Sequence, residues 1–268
     1  MLGVSRSGYY GWLKRVTGPS AGRAAADEQL LGEIQAIHAE FGYYGSPRMH
    51  RALLARQHVV GRHRVARLMR LHGIRARRGK IKSRPRAAPP ARRPEILDRV
   101  RRRFAADSLS RLWFTDATVI RTGEGFLHAV VILDAFNRQV VSYATDPHES
   151  PLTAVRALKD SIAVARPAPG CVIHSDRGYQ FTAHDWIRLA HAHRLDVSIG
   201  ERKSPLDNAA MESWFASLKN EEIYPNGIPT TKAEARARLF HYIWIYNTKR
   251  LHSTLGYRSP IDYAKLNQ

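Results

Sequence analysis

The chain has 268 residues, 44% of them hydrophobic, a formal charge of +20 and one cysteine, Cys171. That length can hold one sizeable core plus smaller modules. A single thiol excludes an intrachain disulfide and any zinc site that needs two thiolates. The longest apolar run, Phe126 to Phe136, is broken by His128 and Asp134 and is too short to span a bilayer. With no secretory signal ahead of it, a cytoplasmic protein with no membrane partner is expected.

The positive charge is gathered at one end. Residues 1–106 hold 24 Lys/Arg against 6 Asp/Glu, whereas residues 107–268 hold 19 against 17. A basic half of this kind is a nucleic-acid handle, because each neutralised phosphate releases counterions and adds sequence-independent affinity. Anionic lipid is the competing partner, but the arginines are spread over several elements without a strongly amphipathic interfacial helix, so DNA is preferred.

Residues 1–26 read as an N-terminal helical segment, with Ser5 or Ser7 as its cap; Tyr9, Tyr10 and Trp12 suit either base stacking or packing and receive no role. Residues 27–76 carry three helical pieces. Leu30, Leu31, Ile34 and Ile37 make one apolar stripe, which Phe41-Gly42-Tyr43-Tyr44-Gly45 breaks. Ser46-Pro47 signals a helix start with serine as cap, followed by Met49, Leu53 and Leu54. A turn at His58 to Gly61 leads to a third helix with Val65, Leu68 and Met69 inward and His63, Arg67 and Arg70 on another face, ended by Gly73. Two short helices around a glycine-bearing turn suit a helix-turn-helix whose last helix enters the major groove, in preference to a basic bundle touching only phosphates or protein. His50, His58, His63 and His72 have no cysteine or carboxylate at ligand spacing and read as surface groups rather than metal ligands.

Residues 77–106 read as a basic linker. From Arg75 to Pro94 there are nine Lys/Arg, four prolines and no acid, a composition that buries no core; Arg77 and Arg78 are candidate phosphate contacts.

From Leu112 the pattern turns to strands. Leu112–Arg121 and Phe126–Leu133 flank a hairpin signal at Thr122-Gly123-Glu124-Gly125, and a third strand covers Val140–Thr145. An amphipathic helix with Leu152, Val155, Leu158 and Ile162 inward follows, then a strand opening at Cys171, a helix from Thr182 to about His193, and a short strand Val197-Ser198-Ile199. Three meander strands and then alternating helix and strand predict an α/β sheet with helices on both faces. Helical spacing of Ala209, Ala210, Trp214, Phe215 and Leu218 after a cap at Asp207 marks another helix. The end of the chain, Ala233 to Tyr246, is helical with Leu239, Phe240, Ile243 and Trp244 apolar, and is expected to pack on the core.

Three acids stand out on this frame. Asp116 lies in a β-rich segment, Asp176 follows the Cys171 strand, and Glu212 sits on the helix, with 35 residues between it and Asp176. Each alone reads most simply as a solvated charge; from two strands and a helix they can converge, and hard divalent cations choose such oxygen ligands. Asp134 and Asp146, at strand ends, are ascribed to turns.

The motifs Trp113-x-x-Asp116-x-Thr118, His174-Ser175-Asp176-x-Gly178-x-Gln180 and Asp207-Asn208-Ala209-x-x-Glu212-Ser213, with the 35-residue spacing and Lys219, resemble insertion-sequence transposases of the Asp-Asp-Glu type, in the retroviral integrase superfamily. Val4-Ser5-Arg6-Ser7 with Tyr9-Tyr10, and Tyr246-Asn247-x-x-Arg250-x-His252 with Leu255-Gly256-Tyr257, match the same family. The resemblance implies a ribonuclease-H-like catalytic core over 107–224, preceded by the all-α helix-turn-helix module and followed by a helical extension, 225–268. It implies metal-dependent DNA strand cleavage and strand transfer at the ends of an insertion sequence, by phosphoryl transfer with no covalent protein intermediate. Asp116, Asp176 and Glu212 are then catalytic and would hold two magnesium ions, for which manganese substitutes. Lys219 would hold a phosphate, Gly178 would let the backbone approach DNA, and Gln180 and Asn208 would support the site. Asn247, Arg250 and His252 are further DNA-contact candidates, beside a purely structural role. The implied partners are double-stranded DNA, both terminal repeats and target, a second copy of the chain on paired ends, and an upstream-frame product carrying a helix-turn-helix and leucine zipper. The work would be done at the bacterial nucleoid. Rival readings are a DNA-binding regulator that no longer cuts and a ribonuclease of the same fold acting on RNA–DNA hybrids.

Overall fold

A computed structural model describes residues 5–17, 20–77, 98–100, 104–200 and 208–267. Arg78, most of the basic linker and the expected cap Asp207 lie outside the described residues. The chain divides into two compact units, Met1–Arg77 and Arg78–Gln268.

The first unit is all helical: α1 (Arg6–Thr17), α2 (Ser20–Glu40), α3 (Ser46–Ala55) and α4 (Arg62–Leu71). Ser5 caps α1, its Oγ accepting from Gly8 N at 3.1 Å. The predicted stripe on α2 is inward at Leu30, Ile34 and Ile37, and meets Met49 and Leu53 of α3 and Val65, Leu68 and Met69 of α4 among the buried residues. Phe41 and Tyr44 stack at 4.7 Å where the chain turns into α3. The cap of α3 is Gly45 rather than Ser46, which is the first helical residue ahead of Pro47. Leu54 points outward. Gly73 follows α4 with φ +64°, a left-handed conformation that suits glycine at a helix end. Asp27 ties α2 to α4, accepting from Arg64 Nε at 2.6 Å and Arg67 Nη2 at 2.5 Å.

The second unit is built on one five-stranded sheet: β1 (Leu112–Thr122), β2 (Gly125–Asp134), β3 (Val140–Asp146), β4 (Val172–Ser175) and β5 (Asp196–Ile199), in the order β3-β2-β1-β4-β5. The meander β1–β3 is antiparallel, and β4 and β5 add in parallel beside β1. Crossover helices α5 (Pro151–Ala165) and α6 (His184–Ala192) make the parallel additions possible. Because successive residues on a strand face opposite ways, the sheet separates two cores. Trp113, Val130, Ile132, Ile173 and Val197 join Ala157, Leu158 and Trp186 on one face. Phe114, Leu127, Val131 and Leu133 join residues of α7 (Ala209–Leu218) and α8 (Lys232–Thr248) on the other. Helix α9 (Pro260–Leu266) closes the chain.

Two helices turn part of their apolar residues outward. On α5 the buried residues are Thr153, Ala154, Ala157, Leu158 and Ser161, while Leu152 is 61% exposed. Small residues let the helix lie close on the sheet, and Ser142 Oγ donates to Ala157 O at 2.6 Å. On α8 the buried set is Ala235, Leu239, Tyr242, Ile243 and Tyr246, and Phe240 and Trp244 face outward. Aromatics on both sides of α8 make its apolar spacing ambiguous. The described end of the basic segment packs on the sheet: Val100 is buried, Phe104 lies 6.0 Å from the Phe114 ring, and Arg99 N donates to Ser198 Oγ at 2.9 Å.

Candidate active site

The parallel register of β1 and β4 pairs Leu112 with Val172 and ends with Thr115 opposite Ser175. Asp116 and Asp176 are each the next residue along, so one carboxylate stands on β1 and the other just past the end of its parallel neighbour β4. Alternation puts Asp116 on the Phe114 face, toward α7 and α8, and His174 on that face too, its ring 6.0 Å from Phe114. His174 is buried and its Nδ1 lies 2.9 Å from Ser198 Oγ, a firm floor under the end of β4.

Each aspartate is oriented by a backbone amide. Asp116 Oδ1 accepts from Ala117 N at 2.7 Å, and Asp176 Oδ1 from Gly178 N at 2.9 Å. The other oxygen of Asp176 accepts no hydrogen bond from the described residues. Gly178 is closely packed by side chains: a Cβ there would lie 2.9 Å from Asp176 Oδ1 and 2.9 Å from Gln180 Nε2. Gln180 is buried in the middle of a short 3-10 turn, Tyr179–Phe181.

Asn208 caps α7 by position and is buried; its Nδ2 donates to Thr115 O at 3.4 Å, and its Oδ1 has no partner among the described residues. This amide pins the start of the helix to β1 at the residue before Asp116. Glu212 stands in the first turn of α7, where the helix dipole favours a carboxylate. It is exposed and makes no hydrogen bond or ion pair among the described residues, while Met211, Trp214, Phe215 and Leu218 anchor the opposite side. Lys219 follows on a π-helical turn, Lys219–Ile223.

The three acids therefore belong to adjoining elements on one face of the sheet. Among the described residues no three acid, histidine or cysteine side chains stand close enough together to form a complete metal-ligand set. The donor chemistry nevertheless suits a hard divalent cation: oxygens only, with the carboxylate of Glu212 and one oxygen of Asp176 uncommitted. Cys171 is not a rival centre, since burial above all pushes its thiol up to about 12.

The remaining candidates separate by surroundings. His63, Arg70 and Arg77 are exposed on the first unit, whereas Arg67 shares Asp27 with Arg64. Asn247 faces inward: its Oδ1 accepts from Val140 N at 2.9 Å and its Nδ2 donates to Val140 O at 2.9 Å, clasping β3. Arg250 and His252 are buried, Arg250 on Glu221. Sequence reasoning did not single out Asp27, Glu221 or Ser217, whose partners lie far away along the chain. Asp134 is more than a turn residue. It accepts from Ser110 N at 2.7 Å, Phe136 N at 2.9 Å and Trp113 Nε1 at 3.2 Å, which explains the tryptophan of the first motif. Burial raises its pKa and these donors oppose the rise.

Comparison with known proteins agrees with this architecture. Residues 25–82 match an HTH-like domain, and residues 108–205 and 193–260 match integrase core domains. The chain is 32% identical over 246 residues to the transposase for insertion sequence element IS904 of Lactococcus lactis, covering 90% of this chain and 96% of that protein. It is 29% identical to the transposase InsF for insertion sequence IS3A of Escherichia coli, covering 100% of this chain and 92% of that one. A similar solved fold occurs in a simian T-cell lymphotropic virus intasome, with a TM-score of 0.52 at 16% identity, covering 86% of this chain and 74% of that one. No helix among the described residues is long and apolar enough to cross a membrane. A helix-turn-helix-like module ahead of a ribonuclease-H-like sheet, with integrase-core matches across that sheet and its following helices, makes this chain a member of the insertion-sequence transposases of the retroviral integrase superfamily, polynucleotidyl transferases of DNA transposition and integration.

Proposed function

We propose that Asp116, Asp176 and Glu212 form the catalytic centre of this transposase, which cuts DNA at the ends of an insertion sequence and joins the freed ends to target DNA. The observation that carries this reading is the β1–β4 register, which sets two aspartates side by side next to the strand position that Asn208 of α7 grips. Magnesium held by Asp116, Asp176 and Glu212, as two ions and with manganese as a substitute, would neutralise phosphate charge and activate the attacking oxygen.

The chain's own groups position this chemistry. Backbone amides aim Asp116 and Asp176, and the N-terminus of α7 presents Glu212. Water attacks phosphorus and the bond to the 3′ oxygen breaks, which leaves a 3′-hydroxyl. That hydroxyl then attacks a phosphorus in the target strand and displaces its 3′ oxygen. No covalent bond to the protein forms. Lys219 is assigned to a phosphate of the bound end. His63, Arg70 and Arg77 are assigned to DNA on the first unit, with Arg78 continuing the basic run.

Joining two ends calls for at least two copies of the chain, and an upstream-frame product would add specificity for the terminal repeats. This work on DNA belongs in the cytoplasm, at the nucleoid. The test is joining of a labelled element-end duplex to target DNA with magnesium, by wild type and by Asp176→Asn. The variant should bind DNA normally and join none; retained joining would overturn the assignment.

A further inference from the structure

Arg250 belongs to a motif in the C-terminal extension, yet its side chain points into the protein and is 4% exposed. Its Nε donates to Glu221 Oε2 at 2.7 Å and its Nη2 to Glu221 Oε1 at 2.5 Å, a two-pronged pair; Nη2 also reaches Ser217 Oγ at 3.3 Å. Tyr242 Oη donates to the same Glu221 Oε2 at 3.1 Å. The guanidinium lies 5.4 Å from the centre of the Tyr246 ring, against which His252 packs edge-on at 4.6 Å.

Ser217 is on α7 and Glu221 on the π-helical turn that continues it, where Tyr224 N donates to Lys219 O at 2.8 Å. One guanidinium just beyond α8 thus grips both the last turn of the Glu212 helix and the wider turn that begins at Lys219. The other end of α7 is held by Asn208 on Thr115. Turns of this wider kind concentrate at functional sites. A buried ion pair adds little stability that well-packed apolar side chains of similar volume would not. What a planar fork adds over such packing is one fixed geometry.

We propose that the Arg250–Glu221 pair is a positioning element of the active site, fixing the orientation of α7 and with it the directions in which Glu212 and Lys219 face the DNA. This rests on the assignment of Glu212 above. Arg250 touches no reacting atom in this account; it acts through Glu221 and Ser217.

The test uses the full chain in three variants: Arg250→Lys, which keeps the charge without the fork, the repacked double variant Glu221→Leu/Arg250→Met, and Glu212→Gln. Strand transfer, magnesium concentration at half-maximal rate, DNA affinity, melting temperature and hydrogen exchange of the Tyr224 amide are measured on each. Arg250→Lys and the double variant should melt within about 5 °C of wild type and bind DNA equally. Both should exchange the Tyr224 amide faster, need more magnesium, and lose strand transfer by about a hundredfold, the scale of an ångström-sized misplacement.

Wild-type transfer in either folded variant overturns the proposal. So does loss of the fold in both, because the pair would then hold the unit together rather than aim one helix. Glu212→Gln separates the two assignments. If it transfers strands normally the site reading fails; if it is inactive while Arg250→Lys is active, only the positioning role fails.

Discussion

Adding one methyl group at Gly178 should disable the site while sparing the fold. Gly178 has φ −56° and ψ 139°, which alanine adopts without strain. The difficulty is space: the new Cβ would lie 2.9 Å from Asp176 Oδ1, 2.9 Å from Gln180 Nε2 and 3.1 Å from Gln180 Cδ. Ordinary contact begins at 3.4 Å, so something must move by roughly 0.5 Å. Gln180 is 4% exposed and has little room, so the Asp176 carboxylate gives way and its 2.9 Å bond from Gly178 N lengthens. Overpacking costs about 1–3 kcal/mol, offset in part by the ~0.4–1 kcal/mol that alanine gains over glycine through the unfolded chain. The net loss in stability is about 1 kcal/mol. A displaced carboxylate should lower strand transfer by at least about tenfold, since a misplacement of 1 Å costs about a hundredfold. Strand transfer with magnesium, urea unfolding and DNA binding are measured on Gly178→Ala beside wild type. A rate within about twofold of wild type at unchanged stability would refute the claim that the site depends on where Asp176 points.

Gly123→Ala should destabilise the second unit by about 1–3 kcal/mol, because its Cβ would meet the backbone oxygen of Thr230 at 2.5 Å; the urea midpoint checks this. Asn247→Ala strands both backbone groups of Val140 and should cost about 1–3 kcal/mol in the same assay, with DNA affinity unchanged. In the first unit, the bond from Arg67, ahead of that from Arg64, holds the Asp27 carboxyl below the usual range. A depressed carboxyl stabilises the fold above its unfolded pKa, and that contribution disappears as pH falls through the folded value. Asp27→Asn should therefore cost about 1 kcal/mol at neutral pH and progressively less as pH falls below the ordinary carboxylate range, read from unfolding at several pH values.

The meander, the parallel additions and the elements carrying the three acids were legible because strand and helix periods are strong where one face is apolar. Val130, Val131, Ile132 and Leu133 are buried on both faces of β2, so only their length and turn signals marked them as strand. The phase of α5 was partly legible: Leu158 is buried and Val155 and Ile162 pack on the core, but the most buried positions also include alanine, threonine and serine, which carry little apolar signal, while Leu152 faces solvent. The phase of α8 was hidden by Phe240 and Trp244 on its outer side. Among site residues, the motif spacing singled out Asp116, Asp176 and Glu212, and the strand register explains why the two aspartates are neighbours. For Arg250 and Asn247 the sequence left DNA contact and a purely structural role side by side, because polar groups in a motif suit either. Their partners, Glu221 and Val140, are remote in sequence and no local pattern points to them.

Iron-directed cleavage tests most directly the central claim that carboxylates from two strands and a helix hold the metal. Ferrous iron replaces magnesium in the DNA complex, ascorbate and peroxide are added, and the cut positions in the chain are mapped. The account predicts backbone cuts around residues 116, 176 and 212, suppressed by excess magnesium and lost in Asp116→Asn. Cuts clustered elsewhere, or the same three cuts surviving in Asp116→Asn, would contradict it.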